Sequence, residues 1–530
     1  ECYQRAIQLQ PDLADAHHCL GMVLSHMENR LDEAAQCYRQ ALRYRPDSTE
    51  ARVNLGKMLE QQGLIEEARE CYQQVQPRGA DPALFRLRVE SLCPPVPASH
   101  AAIDGYRAAL RARLEQWREP RDIRLNQESL HASDLEPPLT LIYQGRDDRP
   151  LKEAWAALFQ NLLPKVEPPP PASGRPRVGF VVTRRHEEAF LKGMAGILNH
   201  LSADRFDLTV ACSQQGGEAR LRTGIRNSAV RYLSLPDRID HGVERLRQAR
   251  FAVLYHWEVG TDSIDYFLPF FRLAPVQCTG WGWPVTSGIP GMDYYLSAQH
   301  LETADSDAHY SERLVRFQRL PVYFHRPEPA PLVERERFGL AAGQRLYVCT
   351  QNPRKIHPDF DELLAGLLRR DPGGVVALVE DIQPAVTAAL RQRLQAHLPD
   401  VIDRVRFLPW LAYRDYLGLL AAADVALDTL HFGGGMTTYD ALAVGLPVVT
   451  LPGAFGRGRH VHAAYRQMGL DEGIAVDPAD YIERAVRFAS EPDRRAAFGA
   501  RLREASAELF EDRQAVREFE DFLETAVAGL

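Results

Sequence analysis

The sequence predicts an α/β protein in which two doubly wound domains face a cleft and follow an α-helical solenoid. Three observations lead to this prediction. Residues 1–77 repeat with a period near 34 residues, strand-like and helix-like segments alternate after residue 176, and the alternation occurs in two series. Such alternation predicts parallel sheets covered by helices, with ligands at the carboxyl ends of the strands. A chain of 530 residues is also too long for one core, so several domains are expected.

The composition narrows the class of protein. A hydrophobic content of 45% with 25% charged residues is ordinary for a globular chain, and a net charge of −8 argues against nucleic acid as the main partner. No run of 18 apolar residues and no signal-like segment is found, so we expect no membrane partner. Eight scattered cysteines without zinc-site spacing predict reduced thiols of a cytoplasmic protein. Because Glu1 lies inside a helical pattern, without an initiator Met, we expect a fragment.

The repeat is carried by the segments ECYQRAI, QCYRQAL and ECYQQVQ. Their cysteines, Cys2, Cys37 and Cys71, are spaced by 35 and 34 residues (37 − 2 and 71 − 37), and CLGMVL returns as NLGKML. This period is typical of the tetratricopeptide repeat, a helix pair that must stack on its neighbours to bury its apolar face. We therefore assign residues 1–77 to such repeats and expect a concave groove for an extended peptide. A purely structural extension is the alternative.

Three further segments follow the repeats. Residues 78–170 keep a helical pattern without the period and are predicted to be a connector, which the proline cluster EPPPPASGRP ends. Residues 175–330 and 331–525 are predicted to be the two doubly wound domains. The first has the strand-like runs RVGFVVT, FDLTVACS, VRYLSL, FAVLYHW and PVQCTGW. The second has RLYVCTQ, GGVVALVE, RVRFLPW, DVALDTL and LPVVTLP.

A glycine-rich loop in the second domain is the main candidate for ligand binding. The strand DVALDTL leads into HFGGG, and a helix begins near TTYDALAVG. A strand, a glycine loop and a helix start bring free backbone N–H groups and the positive end of the helix dipole to one point, which suits a phosphate. The hydroxyls of Thr437 and Thr438 add possible donors. The structural alternative is that Thr437 and Asp440 form a capping box that satisfies the helix start without a ligand.

The segment CTQNPRKIHPDF is the second candidate, because it follows the first strand of the same domain. A strand end there puts Gln351, Arg354 and Lys355 at the mouth of the cleft. A leaving nucleoside diphosphate gains negative charge as its bond breaks, so the Lys355 ammonium would stabilise the transition state more than the ground state. A solvated loop lysine is the alternative.

At this point the sequence resembles a known family. RLAPVQCTGWGWPVTSGIPGMDYYLS, QNPRKIHP and MTTYDALAVGLPVVTLPG, together with the leading repeats, resemble the O-linked N-acetylglucosamine transferase family, especially its bacterial members. The resemblance implies a GT-B glycosyltransferase that uses a UDP-sugar as co-substrate without cofactor or metal, inverts the anomeric centre and modifies Ser or Thr. It implies that residues 175–330 form the acceptor side and residues 331–525 the nucleotide-sugar side. The acceptor protein would enter through the repeat groove.

The resemblance also implies roles for individual residues. Lys355 matches the diphosphate-binding lysine and Gln351 a glutamine on the phosphate side, and His186 matches a histidine at the catalytic cleft. Asp440 matches the carboxylate that binds the ribose hydroxyls. The phosphate-binding loop and helix start fall on Gly434, Gly435, Met436, Thr437 and Thr438. The loop that lines the sugar falls on Pro284, Thr286, Ser287 and Gly288.

Departures from the family pattern leave alternatives open. Gly435 and Met436 stand where the family has His and Thr, so a donor is missing or is supplied from elsewhere, for which His431 is a candidate. The acidic pair Asp305 and Asp307 has the spacing of a metal-binding motif, but we expect solvated acids there. Transfer of another sugar such as fucose or glucose, an Asn acceptor, a small-molecule or lipid acceptor, and a catalytically impaired scaffold are the competing functions.

Overall fold

The computed structural model describes residues 1–25, 27, 30–75, 81–117, 135–164, 166–331, 333–339, 341 and 343–530. The expected boundary between repeats and connector, at residues 77 and 78, lies outside these ranges. None of the helices within them is long and apolar enough to cross a membrane.

The described residues up to 90 form helices that pack on their neighbours in the chain, as the repeat predicts. Gly21 and Gly56 lie where a helix passes closest to the next repeat helix. A Cβ atom on Gly21 would meet the Tyr38 ring at 2.9 Å, and one on Gly56 would meet the Tyr72 ring at 2.5 Å. The repeated Leu-Gly pair is therefore explained by close packing. The helices are α1 (Cys2–Leu9), α2 (Ala14–Ser25), α3 (Leu31–Tyr44), α4 (Thr49–Gln61), α5 (Ile65–Gln73) and α6 (Pro82–Glu90).

The connector packs against the first domain. Its described part contains α7 (His100–Trp117), a short 3-10 helix (Leu139–Tyr143) and α8 (Arg149–Gln160). The apolar face of α8 is buried, and Phe159 meets Phe267 of the first domain edge to face at 5.1 Å between ring centres. Residues of α7, α8 and the first domain thus share one hydrophobic core.

The first domain is a parallel sheet of seven strands among the described residues, in the order β3-β2-β1-β4-β5-β6-β7. The five predicted strands are confirmed; β6 and β7 were not predicted. The strands are β1 (Arg177–Val182), β2 (Asp207–Ser213), β3 (Arg231–Leu235), β4 (Val253–His256), β5 (Val276–Thr279), β6 (Tyr294–Ala298) and β7 (Arg313–Phe317). Between them lie α9 (Glu187–His200), α10 (Gly217–Leu221), α11 (Ile239–Ala249) and α12 (Ser263–Phe267).

The second domain is a parallel sheet of five strands within the described ranges, in the order β10-β9-β8-β11-β12. All five strands are predicted by the sequence. They are β8 (Arg345–Cys349), β9 (Gly374–Val379), β10 (Val405–Leu408), β11 (Val425–Leu427) and β12 (Val448–Val449). The helices are α13 (Pro358–Arg370), α14 (Pro384–His397), α15 (Tyr413–Ala422), α16 (Met436–Val444), α17 (His460–Gln467), α18 (Pro478–Ser490) and α19 (Pro492–Ala505).

The last helix, α20 (Arg513–Ala528), returns to the first domain. Its Phe519 stacks on Phe180 of β1 at 6.1 Å and meets Tyr255 of β4 at 5.7 Å. The sequence assigns residues up to 525 to the second domain, but this helix buries its apolar face on the first sheet. The chain thus crosses between the domains twice, which ties them together.

The strand order decides where a ligand can bind. In each sheet the connections change direction between the first and fourth strands, which are β1 and β4 in one domain and β8 and β11 in the other. In doubly wound folds the crevice at this switch point, at the carboxyl ends of the strands, is the usual ligand site. Gln351 and Lys355 follow β8, and the glycine loop follows β11. The two sequence candidates therefore belong to one switch point.

Candidate functional site

A cavity of about 210 Å³ lies between the two domains at these strand ends. The second domain contributes residues from the segment after β8, from the glycine loop and from the start of α17. The first domain contributes residues from α9 and from the loops after β4 and β5. The lining residues are Ala189, Gly193, Trp257, Trp281, Gly282, Pro284, Phe324, Lys355, Phe432, Gly435, Met436, Thr437 and His460.

Hydrogen bonds to neighbouring segments fix the conformation of the glycine loop. The buried Asp428, which directly follows β11, accepts from the Gly434 N–H at 2.9 Å and from the Thr450 hydroxyl at 2.7 Å. Burial raises the pKa of Asp428 to about 6. The Gly433 N–H donates to the Arg457 carbonyl at 2.8 Å. A side chain on Gly434 would lie within 2.9 Å of Gln351 and the hydroxyls of the two threonines, so this position requires glycine.

The start of α16 is not capped by its own side chains. The Thr437 hydroxyl accepts from Nε2 of Gln351 at 2.7 Å, and the Thr438 hydroxyl donates to the Gly434 carbonyl. The alternative of a capping box is therefore wrong, because no side chain caps this helix and Asp440 is bonded elsewhere. Within the described part of the chain, the N–H groups of Gly435, Met436 and Thr437 have no hydrogen-bond partner. These three residues also line the cavity.

Lys355 brings a positive charge to the same cavity. Its Nζ donates to Oε1 of Gln351 at 2.9 Å and to the Gly433 carbonyl at 3.4 Å, and it lies 4.5 Å from the centre of the Phe432 ring. No carboxylate among the described residues lies within ion-pair distance of it. Burial lowers the pKa of Lys355 to about 8. An ammonium without a carboxylate in ion-pair contact, beside N–H groups that are unpaired within the described residues, is an arrangement that can bind an anion.

Two histidines are candidates for the hydrogen-bond donor that Gly435 and Met436 do not supply. His431 lies outside the cavity lining, and its Nε2 is 2.6 Å from Oδ2 of Asp359, so it does not replace that donor. His460, which the sequence analysis missed, lines the cavity and packs 4.7 Å from Trp281. It is buried, and its Nδ1 has no hydrogen-bond partner in the described structure. Burial, aided by the Lys355 charge, lowers the pKa of His460 to about 3, so the imidazole is neutral.

Asp440 lies one turn beyond the cavity on α16. Its Oδ1 accepts from the Tyr413 hydroxyl at 2.8 Å, and burial raises the pKa of Asp440. Tyr413 is 53% exposed and stacks on Tyr416, with 6.1 Å between the ring centres. A carboxylate with one oxygen unused, beside an exposed aromatic pair, is an arrangement that can hold a sugar hydroxyl next to a base.

The segment after β5 is divided between the cavity and the protein interior. Pro284 lines the cavity. The hydroxyl of Thr286 donates to Glu312 at 2.7 Å, and the backbone N–H of Ser287 donates to the other oxygen of that carboxylate, also at 2.7 Å. Gly288 has a φ of +74° and lies directly on the Lys152 backbone. The loop is therefore anchored to the protein interior by Thr286, Ser287 and Gly288, which are not part of the cavity lining.

His186 lies beside the cavity, after β1 and at the start of α9. Its Nδ1 is 3.0 Å from the Thr183 hydroxyl and 3.5 Å from the Glu258 carboxylate. Asp265 lies 3.9 Å away on the same side. Burial raises the pKa of both Glu258 and Asp265. The acidic pair Asp305 and Asp307 is not part of this cluster. Asp307 is exposed and paired with Arg316.

A second cavity, of about 350 Å³, adjoins the first on the side of the repeats. Trp283 lines it, and the neighbours of Trp283 in the chain, Gly282 and Pro284, line the first cavity. Likewise, Arg354 lines the second cavity, and its neighbour Lys355 lines the first. The opposite wall comes from the repeats and the connector and contains Glu60, Gln61, Ile65, Arg88, Leu92, Glu136 and Tyr143. Residues of the repeats thus line a cavity next to the one that contains Lys355.

Comparisons with known proteins agree with this arrangement. The family model of the tetratricopeptide repeat matches residues 25–89, and the model of glycosyl transferase family 41 matches residues 325–519. The chain is 28% identical, over 229 residues, to the probable UDP-N-acetylglucosamine–peptide N-acetylglucosaminyltransferase SPINDLY of Solanum lycopersicum. The match covers 42% of this chain and 24% of that protein.

Two other similarities extend the comparison. The chain is 24% identical, over 251 residues, to the UDP-glucose:protein N-β-glucosyltransferase of Actinobacillus pleuropneumoniae, covering 45% of this chain and 38% of that one. A mutant O-GlcNAc transferase from Thermobaculum terrenum has the same fold, with a TM-score of 0.69 and 24% identity over 99% of this chain and 92% of the other. The chain spans about a quarter of the length of the first curated relatives that it matches. Residues 325–519 therefore form a glycosyl transferase family 41 domain, in a chain with a GT-B fold that begins with tetratricopeptide repeats.

Proposed function

We propose that this chain is an inverting, metal-independent protein O-glycosyltransferase that moves N-acetylglucosamine from UDP-N-acetylglucosamine to Ser or Thr of polypeptides. The observation that carries the proposal is the anion site. Lys355, which has no carboxylate partner among the described residues, faces the same cavity as the unpaired N–H groups of Gly435, Met436 and Thr437. Family membership and the similarity to a probable peptide N-acetylglucosaminyltransferase support the nucleotide sugar and the polypeptide acceptor.

The leaving group determines the chemistry of this site. As the bond to the anomeric carbon breaks, negative charge grows on the diphosphate and positive charge grows on the sugar. The ammonium of Lys355 and the N-terminus of α16 stabilise the diphosphate, and they do so more strongly in the transition state. Gln351 holds both parts together, because it accepts from Lys355 and donates to Thr437. His460 supplies the imidazole that the glycine loop lacks.

The nucleoside and the acceptor take opposite ends of the cavity. We assign the ribose hydroxyls to Asp440, with Tyr413 beside it. The acceptor chain passes from the repeats through the second cavity and reaches the sugar past Trp283. Sugar recognition is assigned to the loop that begins at Pro284 and is supported from beneath by Thr286, Ser287 and Gly288.

His186 is assigned to the acceptor proton or to orientation of the sugar. The Thr183 hydroxyl, 3.0 Å from Nδ1, fixes the orientation of the ring, and Glu258 and Asp265 lie within 4 Å of the same nitrogen. Imidazole is suited to this step because its ordinary pKa is close to neutral pH.

The decisive experiment separates nucleotide binding from transfer. The Lys355→Met variant is expected to keep much of its affinity for UDP in calorimetry, while transfer to an acceptor peptide falls by about two to three orders of magnitude. Lys57→Met, which removes a charge on a repeat helix remote from the cavity, is the matched control. Full turnover by Lys355→Met would remove Lys355 from the mechanism. Absence of UDP binding by the unaltered protein would instead favour an inactive scaffold.

Another sugar or an Asn acceptor is the second candidate. The similarity to a UDP-glucose:protein N-β-glucosyltransferase supports it, as does the replacement of the family His and Thr by Gly435 and Met436. Incubation with a series of nucleotide sugars and a peptide library distinguishes the two, because the mass increase identifies the sugar and fragmentation identifies the acceptor residue. A hexose increment on Asn would overturn the first proposal and leave the anion site intact.

A further inference from the structure

Three histidines surround Asp359 outside the cavity that contains Lys355: His357, which is two residues before it, and His100 and His431 from other segments. His100 Nε2 lies 2.7 Å from Oδ1 of Asp359, and His431 Nε2 lies 2.6 Å from Oδ2. Nδ1 of His357 lies 3.2 Å from Oδ2. The rings also touch each other, since the His357 centre is 5.1 Å from His100 and 4.2 Å from His431. None of the four residues lines the cavity that contains Lys355.

Hydrogen bonding within the chain does not account for all of these nitrogens. His357 is 1% exposed, and its Nδ1 accepts the Asp359 N–H at the start of α13. Its Nε2 is buried with no hydrogen-bond partner in the described ranges. Burying an imidazole nitrogen without a partner costs stability, and native structures rarely leave it so without a reason.

The geometry is close to that of a zinc site. One ligand atom each from His100, His357 and Asp359 lie within 4.8 Å of one another. Zn²⁺ binds imidazole nitrogen and carboxylate oxygen at about 2.0–2.2 Å, so neighbouring ligands of a tetrahedral site are about 3.3 Å apart. The present separation of 2.7 Å between Nε2 of His100 and Oδ1 of Asp359 requires an opening of roughly half an ångström.

We propose that Zn²⁺ binds to His100, His357 and Asp359, with a water in the fourth position. The half-exposed side chain of His100 leaves that position open to solvent. His431 donates to the second oxygen of Asp359, which orients the carboxylate as outer partners of metal ligands do. The donor set of two imidazoles and one carboxylate favours Zn²⁺ over Mg²⁺, which prefers oxygen ligands.

The bound ion would join two segments of the fold, and His431 would link a third to it through Asp359. His100 is the first residue of α7 in the connector, while His357 and Asp359 stand at the start of α13, just after Lys355. His431 immediately precedes the glycine loop. The site therefore fastens the connector to the nucleotide domain without entering the reaction, and its occupancy stabilises the contact between them.

The test is a zinc titration of the whole chain, first stripped of metal, against a chromophoric competitor in the presence of excess Mg²⁺. The unaltered protein is expected to bind one Zn²⁺, and the His100→Ala variant is expected to bind none. Zinc should raise the melting temperature of the unaltered protein but not that of the variant. His431→Ala should weaken binding about 10- to 100-fold. His325→Ala, which alters another surface His–Glu pair, is the control and should bind as the unaltered protein does.

Circular dichroism of each variant establishes that it is folded. Unchanged zinc binding by a folded His100→Ala variant would overturn the proposal, as would the absence of micromolar binding by the unaltered chain. Loss of the ion in His186→Ala but not in His100→Ala would also overturn it, because the ion would then lie with Asp262 and Asp265, the other described cluster with suitable ligands.

Discussion

The guanidinium of Arg457 lies 3.2 Å from the carboxylate of Asp148, and both side chains are almost completely buried. The same guanidinium donates to the carbonyls of Ile142 at 2.8 Å and Arg146 at 2.7 Å, so it clamps the connector. The carbonyl of Arg457 accepts from the Gly433 N–H at 2.8 Å. One residue thus joins the connector, which carries the repeats, to the loop of the proposed phosphate site.

Replacing Arg457 by Met is expected to destabilise the protein by about 2–4 kcal/mol, because it leaves part of the buried Asp148 charge uncompensated. Arg107 also pairs with Asp148, at 2.8 Å, so the expected loss of stability is smaller than for a buried ion pair with no second partner. Urea unfolding measures it, and UDP calorimetry is expected to show weaker binding through the loosened Gly433. Arg369→Met, which breaks the exposed pair with Asp400, should have little effect on stability because water screens that pair. Equal losses in the two variants would contradict the clamp.

The pKa of Lys355 predicts a pH dependence of UDP binding. Because burial lowers this pKa to about 8, the ammonium is present below pH 8 and is lost as the pH rises through that value. UDP affinity should therefore fall modestly above pH 8, to the level of Lys355→Met and no further, and binding near pH 8 should take up a proton. Calorimetry from pH 7 upwards measures this, since a terminal phosphate is already ionised there, with a second pKa of about 6.

The Lys355→Met variant is the control for that titration and should show a flat profile over the same range. Lys152 also has a pKa of about 8, but it lies outside the cavity, so the comparison isolates Lys355. A fall in affinity that persists in Lys355→Met would assign the titration to another group.

Asp440 is expected to recognise the ribose hydroxyls. Replacing it by Asn should weaken UDP binding about 10- to 100-fold, because charge-assisted hydrogen bonds are lost. The sharper readout is the ratio of affinities for UDP and 2′-deoxy-UDP. The unaltered protein should prefer UDP, whereas Asp440→Asn should bind the two nearly equally. Tyr413→Phe, which removes the 2.8 Å bond to Asp440 but keeps the carboxylate, should retain the preference. An unchanged preference in Asp440→Asn would place the ribose elsewhere.

The close packing of the repeats predicts opposite effects for two glycine substitutions. Gly56→Ala should lower stability by about 1–3 kcal/mol, because its Cβ would lie 2.5 Å from the Tyr72 ring. Gly105→Ala, in α7 with nothing within 4 Å of the added carbon, should be neutral or stabilising by up to about 1 kcal/mol. Thermal unfolding compares them. A tolerated Gly56→Ala would mean that the repeat helices are not held at this distance.

Strand-like runs of apolar residues predicted ten of the twelve described strands, because strands of a parallel sheet covered by helices are rich in apolar residues. The strands β6 and β7 were missed because YYLSA and RLVRF are short and interrupted by polar residues. The Gly-rich loop and Lys355 were predicted from the same alternation, since strand ends in parallel sheets meet at one edge.

His460 and Asp428 show what pattern reasoning does not reach. Asp428 follows a strand and could have been suspected from that position, but its bonds to Gly434 and Thr450 join segments that are not adjacent in sequence. His460 has no motif around it that marks a ligand site, and it meets Trp281 from the other domain. His431 was the natural sequence candidate because it begins the loop, yet Asp359 binds it outside the cavity.

The sequence alone determined the periodicities of this protein: the repeat helices, the alternating strands, and the glycines and lysine at the strand ends. These are local or nearly local properties, set by which residues can share a helix face, a strand or a tight turn. The tertiary structure decided which side chains meet: His460 with Lys355, Arg457 with Asp148, and three histidines with Asp359. Nearly all of these contacts join residues from different segments of the chain, and their partners are chosen by the packing of whole domains.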